Sequence, residues 1–246
     1  GHADLVSTPN GDWYAVFLAV RPYNGGHDIC GRETFILPVD WSSGQPVIVG
    51  GDAPIPYRGG NGESVALWNE SGLANDAFFI RNQQLSRYNV SNGKLEMVAA
   101  YNGLPDSSSP SAVGRWATEN AFSISTTLDR FDGKCPDDIA GLMIFHDDDT
   151  YVLFGRSVNG AGEPCVRLRA CSNNNIVTDK EYDLASADKP ICFNVNINGD
   201  GMYRFAYGHD SDKLAEVEET VSADLLSTLT SDNFTGTMVG LYATAK

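Results

Sequence analysis

Apolar side chains recur at every second residue in one short run after another, and this period of two constrains the fold more than any other feature. Val166, Leu168 and Ala170 alternate with Arg167 and Arg169, the pattern of a strand with one face in a core and the other in water. Phe193, Val195 and Ile197 alternate with Asn194 and Asn196 in the same way. Phe122, Ile124, Thr126 and Leu128 make a third set, and Tyr203, Phe205 and Tyr207 line one face of a fourth. Between such runs stand Asn10-Gly11, Asn92-Gly93, Asn159-Gly160 and Asn198-Gly199. A type I′ turn needs positive φ at both central residues, which Asn and Gly tolerate, so these pairs predict hairpins. Short strands joined this way predict an all-β sandwich or propeller. Helix signals are scarce. Residues 222–229 (SADLLSTL) predict one helical turn, capped by Ser222.

The first fifty residues read differently. Residues 12–20 (DWYAVFLAV) are apolar on both faces in their latter part, which predicts burial from both sides. A segment this short cannot supply neighbours on both sides. Residues 50–62 (GGDAPIPYRGGNG) are rich in Gly and Pro and read as a connection, which puts a domain boundary near residue 55 and divides the chain into 1–55 and 56–246. Residues 102–110 (NGLPDSSSP) predict an exposed loop within the second unit.

Composition narrows the function. Of 246 residues, 42% are hydrophobic, enough for a packed core, and the net charge is −15. Such a surface repels phosphate backbones and anionic membranes, so nucleic acid and membrane are not expected as partners, whereas neutral polysaccharide is allowed. No apolar run approaches the roughly 20 residues that cross a bilayer. The chain opens at Gly1 without an initiator Met or a leader pattern, and the expectation is that something upstream has been removed. Cys30, Cys135, Cys165, Cys171 and Cys192 include no C-x-x-C pair, which argues against a zinc site. Their spacing permits one or two disulfides with an odd thiol left over, and the pairing stays open. Sequons at Asn69, Asn89 and Asn233 join the acidity and the cysteines in predicting a secreted, extracellular glycoprotein.

Specific words in the sequence then add a family. Gly1-His2-Ala3-Asp4-Leu5-Val6, followed by Pro9-Asn10-Gly11-Asp12-Trp13-Tyr14, resembles the entry to the last blade of glycoside hydrolase family 43 β-xylosidases and α-L-arabinofuranosidases. Arg21-Pro22, Gly31-Arg32-Glu33-Thr34-Phe35, and Asp40-Trp41 with Gly44-Gln45-Pro46-Val47 follow in that family's order. Asn233-Phe234-Thr235-Gly236-Thr237-Met238-Val239-Gly240-Leu241-Tyr242-Ala243 is similar to the final strand of the concanavalin-A-like sandwich behind many of these propellers. The resemblance covers nearly the whole chain in collinear order.

It implies the last blade of a five-bladed β-propeller followed by a concanavalin-A-like jelly-roll β-sandwich. It also implies hydrolysis of xylosyl or arabinosyl bonds with inversion, which takes a general acid and a general base with carboxyls about 6.5–9.5 Å apart. In the family these carboxyls precede the Gly-His-Ala word. No residue here matches them, so no catalytic residue is expected and the chain alone should be inactive. Arg32 matches an Arg of the terminal sugar subsite, where a planar guanidinium binds hydroxyls, unless it is spent in a blade-edge ion pair with Glu33 or Asp4. Phe234 matches an aromatic that the sandwich lends to the pocket rim, where its face suits a pentose ring. His2 matches a His near the propeller axis, which implies a calcium ion or a water beneath the sugar. One imidazole is a weak start, because calcium prefers six to eight oxygen ligands.

The other constellations read as structure. Asp147-Asp148-Asp149 after His146, and His209 with Asp210 and Asp212, are the charged turns of strand hairpins. A Gly-x-Ser-x-Gly elbow and a phosphate-binding Gly-rich loop are both missing. The expected function is therefore the C-terminal portion of a glycosidase acting on plant polysaccharide, with a pentose-containing oligosaccharide as ligand and the rest of the propeller, or a homo-oligomer, as protein partner. The alternative is a stand-alone, lectin-like glycan-binding protein.

Overall fold

The computed structural model describes residues 1–23, 25–51, 62, 64–231 and 233–246. The expected boundary near residue 55, with most of the Gly/Pro-rich connection, lies outside the described residues.

The first unit is one antiparallel sheet of β1 (Asp4–Ser7), β2 (Trp13–Val20), β3 (Arg32–Asp40) and β4 (Val47–Ile48), in that order. The two-sided burial expected of residues 12–20 is not reached. In β2 only Ala15 is buried, Trp13 is exposed and the rest are half-buried. Leu5, Val6, Ile36, Val47 and Ile48 all meet water. A single sheet of four short strands has nothing of its own to lay over both faces.

The second unit begins with three two-residue strands, β5 (Trp68–Asn69), β6 (Gly72–Leu73) and β7 (Phe78–Phe79), and a small hairpin of β8 (Tyr88–Ser91) and β9 (Lys94–Met97). Then come β10 (Ser111–Trp116), β11 (Ala121–Leu128), β12 (Ile139–Asp147), β13 (Thr150–Val158), β14 (Pro164–Ser172), β15 (Asn175–Asp183), β16 (Ile191–Asn198), β17 (Met202–Gly208), β18 (Ala215–Ser222) and β19 (Met238–Thr244). They form two antiparallel sheets, ordered β15-β14-β13-β12-β19-β10-β7 and β11-β16-β17-β18. The inward faces of the period-two runs meet between them. Val152, Phe154, Val166 and Leu168 from the large sheet pack against Phe193, Val195, Tyr203 and Phe205 from the small one. Phe154 meets Phe193 edge-on, with ring centroids 5.4 Å apart. This is the expected sandwich.

The outer face of the large sheet is not left to water. Ile80 and Leu104 close over Met143, Phe145, Leu153 and Tyr242, making a second core. The loop at 102–110 is therefore exposed only at its tip. Leu104 is buried, and its carbonyl accepts from Arg81 at 2.9 Å. Arg167, expected to face water opposite Val166, is likewise buried. The carboxylates of Asp179 and Glu181 on β15, and the carbonyl of Val158, hold its charge there.

The hairpins show what Asn-Gly does and does not dictate. Asn92 (φ 51°) and Gly93 (φ 71°) make the expected two-residue turn. Asn173 (φ 48°) and Asn174 (φ 64°) make another with no glycine at all. At Asn10 only Gly11 goes left-handed, and the turn spans Thr8 to Asp12. At Asn159 the positive φ falls on Gly162, because the Asn159 side chain accepts from the backbone N–H groups of Ala161 and Glu163 and widens the loop.

Helix among the described residues is confined to short turns. The predicted one lies at Ala223–Leu226, with the Ser222 hydroxyl accepting from the Asp224 N–H. All five cysteines are free. The disulfides their spacing permits do not form: Cys165 and Cys171 lie six residues apart on one strand, roughly 20 Å at full extension. Cys135 bonds to Asp138 and Cys192 to Thr127 instead.

Candidate functional site

The two units meet where residues 27–33 cross residues 224–231 and 233–237. Thr237 N–H donates to the Ile29 carbonyl at 2.8 Å. Asp28 is buried, and its carboxylate accepts from the hydroxyls of Ser227 (3.1 Å) and Thr228 (2.6 Å). Tyr23 donates to Asp224 at 2.6 Å, and burial together with that carboxylate pushes its hydroxyl far above the ordinary range. The closest approach is between two glycines. A Cβ on Gly31, whose φ is +69°, would stand 2.3 Å from the Gly236 nitrogen, and one on Gly236 would stand 2.2 Å from the Cys30 carbonyl oxygen. Only glycine fits at either position.

This crossing sets Arg32, the first residue of β3, beside Phe234, which hangs exposed on the segment leading into β19. The Arg32 guanidinium carbon lies 4.2 Å from the centre of the Phe234 ring, a cation–π contact built from both units. Together they line an open cleft of about 370 Å³ with Glu33, Trp116 and Thr118. That volume suits a small sugar.

Arg21 organises the floor. Its Nε donates to Glu33 at 2.5 Å, and its Nη2 donates to the Thr118 carbonyl at 2.8 Å. Glu33 therefore pairs with Arg21 and leaves Arg32 to the aromatic ring, so the alternative of an Arg32 ion pair with Glu33 is not taken up. Cys30 also lines the cleft; burial, against the pull of Arg21, pushes its thiol up to about 12. It stays protonated and does not serve as a nucleophile at neutral pH.

The structure brings Arg32 and Phe234 together, while His2 lies elsewhere. It is exposed at the head of β1 with φ +55°, and it does not line this cleft. The neighbouring Gly1 bonds to Leu18 of β2, one strand removed from Arg32. For calcium, His2 brings one nitrogen and no oxygen. Among the described residues no three His, Cys, Asp or Glu side chains converge on a common point. These residues alone do not fit a calcium ion.

Both acidic clusters are turns. Asp147 accepts from the Asp149 N–H, Asp148 pairs with Arg81, and Asp210 accepts from the Asp212 N–H. Buried His146 is held neutral by desolvation, with Nε2 2.6 Å from the Ser231 hydroxyl oxygen. Asn69 and Asn89 are exposed. Asn233 is half-buried and its Nδ2 donates to Asp147 at 3.1 Å, beside the cleft, so a glycan there would break this bond.

Trp116 and Arg21 escaped sequence reasoning as site residues. Trp116 ends a strand that otherwise reads as core, and Arg21 acts through a carbonyl 97 residues away. No local pattern carries such a pairing.

Comparisons with known proteins extend this picture. The family described as beta xylosidase C-terminal concanavalin A-like domain matches residues 68–246, and the one described as glycosyl hydrolases family 43 matches residues 1–46. A non-reducing end alpha-L-arabinofuranosidase, BoGH43B, of Bacteroides ovatus is 28% identical over 99% of this chain and 47% of its own length. A xylosidase/arabinosidase of Butyrivibrio fibrisolvens is 25% identical over 100% of this chain and 49% of its own. The solved structure of Bacteroides ovatus xyloglucan PUL GH43B superimposes with a TM-score of 0.84 at 26% identity, covering 99% of this chain and 50% of that one. The chain thus spans about half the length of the curated relatives it matches.

Proposed function

The chain belongs to the family of beta-xylosidase C-terminal concanavalin A-like domains, behind a stretch similar to glycosyl hydrolases of family 43, and from that premise we propose that it is the C-terminal, substrate-holding portion of a glycosidase that removes xylosyl or arabinosyl units from plant polysaccharide. The observation that carries this is the Arg32–Phe234 contact, one side chain from each unit on a single cleft. Phe234 offers an apolar face to a pentose ring, and the Arg32 N–H groups donate to ring hydroxyls. Inverting hydrolysis needs an acid and a base facing each other across the bond. The cleft has the carboxylate of Glu33, already neutralised by Arg21, and no second one among the described residues lining it. In this reading both catalytic carboxylates come from outside these residues.

The partner that supplies them is the remainder of the propeller, in preference to a second copy of the chain. Leu5, Val6, Ile36, Val47 and Ile48 on the first sheet are the apolar surface it would cover. An extracellular setting rests on the exposed sequons at Asn69 and Asn89; the free thiols lend it nothing. A mass decrease on enzymatic deglycosylation of natively expressed protein is the expected outcome, and an unmodified mass would remove that part.

Titrating the chain with D-xylose and L-arabinose tests the reading, with the Arg32 and Phe234 side-chain resonances as readout. Both should move, and Arg32→Ala should abolish the response. Silence from the native chain, or binding unchanged in Arg32→Ala, would overturn it. A second reading, sugar binding without any catalysis, is favoured by the sandwich core being built almost wholly from its own strands, with Ile29 of the first unit added to it. Its site would be the same cleft, because the outer face of the large sheet is covered. Glycan-array binding by a chain that recruits no second polypeptide would decide for it.

A further inference from the structure

We infer that Trp116, braced by Phe78, is a stacking platform for the second sugar unit of a neutral, pentose-ended oligosaccharide whose terminal unit occupies the Arg32–Phe234 end of the cleft. This rests on the cleft being a sugar site, and the test below separates the two claims.

β10 buries Ser111, Ala112, Val113 and Gly114, yet its last residue, Trp116, is 37% exposed. The indole lines the same cleft as Arg32 and Phe234. Phe78, on the edge strand β7, is 48% exposed and meets Trp116 edge-on, with centroids 5.6 Å apart and planes at 69°. The residue opposite Phe78 is Gly114, which carries no side chain and leaves the ring its diagonal neighbour, Trp116. The alternate residue Arg115 is engaged with Asp76 at 2.7 Å and does not cover the indole.

Trp116 thus stands partly in water on the lining of the cleft, held by an edge-on contact with the equally exposed Phe78 behind it. A flat apolar face of fixed orientation fits the axial C–H face of a pyranose or furanose ring. The indole Nε1–H is a donor-only group of the kind that pairs with a sugar hydroxyl. The net charge of −15 disfavours an acidic occupant, and a neutral sugar chain meets no such penalty.

The experiment is a nitrogen–proton NMR titration of the chain with xylose, xylobiose and xylotriose, in which the Trp116 indole signal is identified by its disappearance in Trp116→Phe. Xylose should move the Arg32 and Phe234 signals only, and xylotriose should move the indole as well. Trp116→Ala should weaken xylotriose about tenfold, the scale of an anchoring aromatic. The native indole readout stands even if that variant fails to fold. If xylotriose moves Arg32 and Phe234 but not the indole, the platform is wrong and the cleft survives. If none of the three sugars moves any of these signals, both fall.

Discussion

The four-stranded sheet of residues 1–49 and the sandwich of residues 64–246 are both antiparallel, but they meet water on different terms. In β13 of the sandwich every residue is buried, because one face packs on the small sheet and the other lies under Ile80 and Leu104. In β2 of the first sheet, drawn from an equally apolar stretch, only Ala15 is. What the first sheet lacks in core it replaces with attachment: Asp28, Tyr23, Arg21 and Gly31 all bind the sandwich. The sandwich carries nearly all of its own core, with Ile29 added from the first unit, and the sheet is a part that needs a body to pack on. Their junction is where the cleft forms, so order at the junction and sugar binding should rise and fall together.

Breaking the junction should give the largest effect. In Gly236→Ala the new methyl would fall 2.2 Å from a backbone oxygen that cannot move without dragging β3 with it. The cost should be about 4 kcal/mol, near the top of the range for single substitutions. Calorimetry should then show two unfolding transitions in place of one, with pentose binding lost. A single, unshifted transition would mean the units are not coupled through this crossing.

Next in size is the contrast between cores. Phe154→Ala, at the centre of the sandwich, should cost about 3–5 kcal/mol. Phe35→Ala in the first sheet, half-buried and stacked on Phe17, should cost about 1–2 kcal/mol. Equal losses by chemical denaturation would erase the distinction between the two regions.

A smaller effect should appear with pH. Burial works to raise the Asp138 carboxyl, but the N–H groups of Lys134, Lys246 and Cys135 and the Cys135 thiol overcome it and hold the group below the usual carboxylate range. A group depressed in the folded state stabilises above its unfolded pKa of about 3.9, and that contribution is lost as pH falls below it. The melting temperature of the sandwich should therefore drop as pH falls below about 4, and Asp138→Asn should flatten the drop. An unchanged slope would show that this tether of the C-terminal residue is unimportant. The smallest effect should be none at all: Arg130→Ala breaks an ion pair with Asp132 that is open to water on both sides, and no change in melting temperature is expected.

The contrast between the regions also explains what was legible in the sequence. Period-two runs such as Phe193-Val195-Ile197 announced the sandwich, because each such face has one destination. The burial of Arg167 was invisible, since nothing local says that Asp179 and Glu181 will stand beside it. Turn chemistry was half legible: Asn92-Gly93 behaves as the pair alone requires, whereas the Asn159 loop is set by side-chain hydrogen bonds that compete with the tight turn. In the site, Arg32 and Phe234 could be named because they sit in family words. Trp116 could not, because an aromatic at a strand end reads the same whether it is bound for a core or a cleft.

The central claim is that these residues hold the sugar while the bond-breaking carboxylates lie elsewhere. Its most direct test is to incubate the purified chain with 4-nitrophenyl β-D-xylopyranoside and 4-nitrophenyl α-L-arabinofuranoside and follow release of the phenolate. The account predicts no release above buffer. Steady turnover that vanishes in Glu33→Gln would contradict it, and would place a working acid in the very cleft where Arg21 is now held to neutralise one.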